Sequence, residues 1–194
     1  ESKSPGEPRE LWVGTWGGGV SRRDAHGWRT FGQSDGLPSD QIFCLLEVGS
    51  GSSRQIWAGT EKGVAIFEGG RWRPLMEAGP FVDARIRALA ATASPARVWI
   101  GTHDRGLWAW DGRLHPPEEI GLGEVGIRSL WGDQDKEGGT MLVVGTGQGL
   151  SIFEKGSWTR IWREQGFPLS PAKAVLHVPL PPSRRVFWIG TEGK

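Results

Sequence analysis

Three residue types suited to ligand chemistry stand together at His103-Asp104-Arg105. A histidine titrates near neutral pH and a guanidinium makes paired hydrogen bonds to oxyanions, so this tripeptide could orient an anionic or hydroxyl-rich ligand. It follows a Gly-Thr pair directly, and so do Trp16-Gly17-Gly18, Glu61-Lys62 and Glu192-Gly193, with Gly147-Gln148 in the same position. Trp16 offers an aromatic face on which a sugar or another ring can stack. A segment kept for packing should look alike each time. These differ in charge, size and hydrogen-bonding capacity, although each taken singly also reads as a wet hairpin turn.

Groups for catalysis are sparse. The four histidines, His26, His103, His115 and His177, show no metal-ligand spacing, and no Gly-x-Ser-x-Gly turn or Cys/His pairing supplies a nucleophile. Asp133-Gln134-Asp135-Lys136-Glu137-Gly138 alternates acids as a calcium loop does, but Val144 stands where the bidentate glutamate belongs, and a turn explains the segment better. No catalytic residue, metal or cofactor is expected. The 23 basic and 22 acidic residues are dispersed, which leaves no footprint for nucleic acid or an anionic membrane. Cys44 is the single cysteine and reads as a small buried hydrophobe. No run approaches the roughly 18 to 20 apolar residues of a membrane helix, and Glu1-Ser2-Lys3-Ser4-Pro5-Gly6 carries no apolar signal core.

The Gly-Thr pairs belong to a longer motif, Trp-x-Gly-Thr, at Trp12-Val13-Gly14-Thr15, Trp57-Ala58-Gly59-Thr60, Trp99-Ile100-Gly101-Thr102 and Trp188-Ile189-Gly190-Thr191. Val143-Val144-Gly145-Thr146 is a fifth copy without the tryptophan, and the steps between copies are 45, 42, 44 and 45 residues. Short apolar runs repeated at that period predict four-stranded β-propeller blades. In one repeat the runs are Gln41–Val48, Gln55–Thr60, Gly63–Glu68 and Arg71–Leu75, separated by hairpin-length turns rich in residues that tolerate positive φ. Pro116-Pro117 makes the fourth strand of the third repeat doubtful, since proline removes ladder donors. Apolar runs such as Val98-Trp99-Ile100 have no wet face, so each sheet must lie between neighbours. The motif glycine shares a face with its tryptophan and lets the next sheet approach closely. This assigns Trp12, Trp57, Trp99 and Trp188, with Gly14, Gly59, Gly101, Gly145 and Gly190, to the repeat core. Trp28, Trp72 and Trp158, at the start of fourth strands, are likewise read as packing residues.

The first repeats run Leu-Trp-Val-Gly-Thr, Gly-Gly-Val-Ser-Arg-Arg-Asp, Trp-Arg-Thr-Phe and Asp35-Gly36-Leu37-Pro38-Ser39. In order and spacing this resembles the two-component regulator propeller repeat, from Leu11 onward. The Asp-Gly-Leu-Pro-Ser turn is intact once and loosely echoed at Gln165-Gly166-Phe167-Pro168. The resemblance implies a periplasmic or extracytoplasmic sensor domain of a bacterial hybrid histidine kinase or diguanylate cyclase, in propellers of seven blades.

The expected organisation is a polar tail over 1–10 and a propeller segment over 11–194, with repeats near 11–34, 35–79, 80–122, 123–165 and 166–194. About four and a half blades are then present; closure of Pro171–Val178 onto the first repeat, making a four-bladed ring, is the disfavoured alternative. Loops between second and third strands meet at one channel mouth in a propeller, which places Trp16, Glu61, Lys62, His103, Asp104, Arg105 and Gln148 around a ligand site. The expected function is non-catalytic sensing of a small molecule, an oligosaccharide or a protein. A carbohydrate-active lyase or hydrolase, and a module that only joins partners, a second propeller or a second copy, are the alternatives.

Overall fold

The computed structural model describes residues 10–76, 79–93, 96–123, 126–134, 138–168, 170–180 and 184–192. Most of the expected tail, 135–137 of the acidic segment, and Gly193 lie outside the described residues. The chain is all-β apart from short helical turns, and it forms two compact bodies, Glu1–Asp83 and Ala84–Lys194.

In the first body, β1 (Leu11–Gly14), β2 (Val20–Asp24) and β3 (Gly27–Phe31) form one antiparallel meander. A second sheet contains β4 (Ile42–Val48), β5 (Gln55–Thr60), β6 (Gly63–Glu68) and β7 (Arg71–Pro74) in chain order. Within the second body, the third sheet is β8 (Ile86–Ala93), β9 (Ala96–Thr102), β10 (Leu107–Trp110) and β11 (Leu114–His115). The prolines cut β11 to two residues, and Pro117 then opens a one-turn helix, α1 (Pro117–Ile120), a position where its missing N–H costs nothing. The fourth sheet is β12 (Ile127–Gln134), β13 (Thr140–Thr146), β14 (Gly149–Glu154) and β15 (Ser157–Trp162), and the fifth pairs β16 (Ala172–Leu180) with β17 (Arg184–Thr191). Pro171–Val178 thus pairs with its own following motif strand.

Successive sheets of a body bury their faces against each other. In the first, Trp12 from β1 meets Phe67 at 4.9 Å and Trp72 at 6.0 Å between ring centroids, joined by buried Phe31 and Ile56. In the second, Trp99 lies among Leu142, Val144 and Leu122, and Trp158 packs on the same cluster. A further cluster joins Val143, Leu150 and Ala172 to Trp131, Phe187 and Ile189. The motif tryptophan therefore packs on the sheet that follows, and the fourth-strand tryptophan on the sheet before. Two expectations are corrected by that rule. Trp188 is 66% exposed and Trp28 is 58% exposed; among the described residues no sheet follows β16–β17 to cover the first, and none precedes β1–β3 to cover the second. Cys44 is half-buried and pairs across from Gly59.

The close approach expected at the motif glycine is present. A Cβ at Gly14 would lie 2.6 Å from Ile42 Cγ2, and one at Gly101 would overlap Ile127 on the following sheet.

Candidate functional site

The motif threonine positions the segments that carry the chemistry. Its hydroxyl donates to the carbonyl of the glycine closing the turn: Thr15 to Gly19 at 3.0 Å, Thr60 to Gly63 at 2.9 Å, Thr102 to Gly106 at 2.8 Å and Thr146 to Gly149 at 3.1 Å. The same oxygen accepts a backbone N–H from inside the turn, from Gly18, Lys62, Arg105 and Gln148 in turn. The closing glycine takes positive φ, and a Cβ at Gly19 would overlap the Phe31 carbonyl. Two backbone groups are thereby satisfied by the motif itself, and the residues between are left to vary. Thr102→Val removes both bonds at a fully buried hydroxyl and should cost about 1–3 kcal/mol in urea unfolding. A loss below about 0.5 kcal/mol would show that the turn holds itself.

In the first body, Trp16 bridges Gln41 and the Glu61 N–H donates to the Gln41 carbonyl at 3.1 Å, so the turns after β1 and β5 flank the start of β4. Gly49–Ser53 follows the other end of β4. Trp16 is 70% exposed and meets the Phe43 ring edge-on at 5.1 Å. Lys62 is exposed beside half-buried Glu61.

In the second body, the His103 N–H donates to the Arg85 carbonyl at 2.9 Å, and Gly126, just before β12, lies tight against the His103 carbonyl. The His103 turn thus meets the approaches to β8 and β12. Burial, followed by the charges of Arg128 and Arg87, holds the His103 imidazole below its ordinary pKa; Asp104 opposes them and Arg85 adds to them. Arg105 is half-buried, and its carbonyl accepts the Trp108 indole N–H at 2.6 Å. Gln148 is exposed at the same end of the fourth sheet. Glu192 donates its N–H to Pro171 at 3.4 Å and pairs with Lys173 at 2.7 Å; Lys173 first, then Arg128, holds its carboxyl below the usual range. The expected seven are divided between the bodies, Trp16, Glu61 and Lys62 in one and His103, Asp104, Arg105 and Gln148 in the other.

Sequence reasoning passed over a second set. In β4, β8, β12 and β16 the register slips by one residue at the same place, leaving Phe43, Arg87, Arg128 and Lys173 as the extra residue. Such bulges re-aim side chains and are enriched beside functional sites. Their sequence signal is an apolar-x-small-apolar tetrad: Ile42-Phe43-Cys44-Leu45, Ile86-Arg87-Ala88-Leu89, Ile127-Arg128-Ser129-Leu130 and Ala172-Lys173-Ala174-Val175. The small residue faces the motif glycine, and the x position is free to carry chemistry.

At the opposite end of the second body a cavity of about 950 Å³ is lined by Arg97, Trp99, His115, Glu119, Phe153 and Trp158, where truncated β11 leaves the third sheet short. His115 is buried between Asp111 at 2.9 Å and Glu119 at 3.2 Å, and Arg97 and Arg113 complete the chain at 2.9 and 3.1 Å. The His115 hydrogen bond, followed by that of Arg97, holds the Asp111 carboxyl at about 2. Each of these charges at the cavity therefore has a partner of opposite sign or a hydrogen bond within the chain.

Among the described residues no group of histidine, cysteine, aspartate or glutamate could hold a metal, and no helix is long and apolar enough to cross a membrane. Val144 is fully buried in β13.

No protein-family model matches the chain, and no curated protein does. Two crystal structures of the extracellular domain of BT4673 from B. thetaiotaomicron match it, one described as a putative one component system and the other as a putative hybrid two component system. Identities are 19% and 20%, TM-scores 0.71 and 0.70, and each alignment covers 98% of this chain but 27% of the other. The chain therefore spans about a quarter of those domains and shares their fold over that span.

Proposed function

We propose that the chain is a segment of a β-propeller that serves as the non-catalytic, extracytoplasmic sensory part of a bacterial signalling protein, binding a small molecule, an oligosaccharide or a protein at the end where the motif turns lie. One observation carries the reading. The motif threonines build the same turn four times around different side chains, an aromatic at Trp16, a charge pair at Glu61-Lys62, a titratable cluster at His103-Asp104-Arg105 and an amide at Gln148. A scaffold held constant while its displayed groups change is the arrangement of a recognition surface. Exposed Trp28 and Trp188, the likeness to extracellular domains and the repeat resemblance support the larger propeller and its compartment.

The test uses the intact protein. His103→Ala and Lys62→Ala should change the response to ligand or partner while shifting the melting temperature by less than about 2 °C, as surface changes do. Unchanged response in both variants would count against this end of the sheets.

The cavity at His115 favours a second reading, a carbohydrate-active enzyme on the same scaffold, because it puts a buried histidine and two carboxylates beside Trp158. Incubation with polysaccharide fragments and product analysis separates the two. Turnover lost in His115→Ala or His103→Ala would establish the enzyme.

A further inference from the structure

Arg87, Arg128 and Lys173 occupy the same bulge position on three successive sheets of the second body, at the end where His103 and Glu192 lie. Arg85 stands one residue before β8. Three cations at equivalent positions repel one another unless something negative lies among them. Asp104 acts on the neighbouring His103, and Glu192 pairs with Lys173. Arg128 lies on β12, which packs against β8 on one side and β16 on the other, and its charge is felt at both His103 and Glu192. Its Nε is buried and finds no hydrogen-bond partner among the described residues. A buried guanidinium donor without an acceptor is costly, and its planar fork matches a carboxylate, sulfate or phosphate edge-on. The neighbouring imidazole supplies a further N–H donor.

From this arrangement we infer that the His103 end of the second body is an oxyanion site, in which Arg128, flanked by Arg87 and His103, binds a carboxylate, sulfate or phosphate group of the ligand. The inference rests on the reading that the turn end of the sheets takes the ligand, and it adds the ligand's charge. Phe43 holds the equivalent position on β4, under Trp16, so the first body presents rings where the second presents cations.

Binding an anion beside His103 favours the protonated imidazole, so its titration midpoint must rise, and by linkage affinity increases as pH falls through that midpoint. The experiment titrates the His103 imidazole by NMR in the intact protein with sodium sulfate, sodium phosphate or sodium malonate, against sodium chloride at equal ionic strength. At least one of the three should raise the midpoint by about half a pH unit or more, and the most effective identifies the acid group. Arg128→Gln should weaken that effect at least about tenfold, Lys173→Gln should weaken it less, and Arg113→Gln, at the opposite end, should leave it unchanged. If Arg128→Gln does not fold, Lys173→Gln against Arg113→Gln carries the comparison. A midpoint indifferent to all three anions, or an effect equal in the three variants, overturns the site. If the anions fail while a neutral saccharide gives a His103-dependent shift, the anionic class falls and the sensory reading stands; if no ligand depends on any turn residue, both fall.

Discussion

Trp99→Ala should destabilise the protein by about 3–5 kcal/mol, the usual cost of a large aromatic lost from a core, whereas Trp188→Ala should cost less than about 1 kcal/mol. Both residues hold the first position of the same motif. Trp99 is 4% exposed, packed against the fourth sheet, and gives its indole N–H to Thr92 at 3.0 Å; Trp188 is 66% exposed, and Leu176, directly across from it, is 61% exposed. Trp57, at 3% exposure, should behave as Trp99 does. Urea denaturation of the paired variants checks the contrast. Equal losses would mean that the Trp188 face is covered in solution, and the packing rule would need a partner for it.

The second large effect is expected at a glycine. A Cβ on Gly145 would overlap both the Ser129 hydroxyl and the Ala172 carbonyl, which are already joined by a 2.9 Å hydrogen bond. The carbonyl belongs to the backbone of the next sheet and cannot rotate away. Gly145→Ala should therefore cost about 3 kcal/mol, at the upper end of overpacking penalties. At Gly190 the nearest atom to such a Cβ is Ala174 Cβ at 3.2 Å, and Gly190→Ala should stay within about 1 kcal/mol. A Gly145→Ala variant as stable as the parent would contradict the close approach of the sheets.

The all-β class, the four-stranded sheets and the close packing at the motif glycine were legible in the sequence because each rests on local pattern. Period-2 apolar runs and positive-φ turns need no knowledge of the neighbours. The exposure of Trp28 and Trp188 was not legible, since it depends on which sheets flank the outermost ones. Proline raised the doubt about the third sheet's last strand, but not the helical turn that Pro117 starts. The motif threonine was visible and its task was not: that task depends on the turn bringing the closing glycine's carbonyl back to the hydroxyl. Arg87, Arg128 and Lys173 were passed over for a similar reason. A bulge exists only in the pairing of two strands, and a charged residue in an apolar run looks like a solvated position until the register slip beside it is seen.

The threonine-stapled turn also bears on how such a chain can change over evolutionary time. Because the staple uses only Thr15, Thr60, Thr102 or Thr146 and the carbonyl that closes each turn, the two or three residues between are structurally interchangeable cassettes. Recombination between a gene's own repeats could move His103-Asp104-Arg105 to another sheet, or replace it with Glu61-Lys62, without disturbing a strand. Ligand preference in such an architecture can be rewritten by copying among repeats rather than by slow redesign of a pocket, and each rewritten version begins from a folded protein.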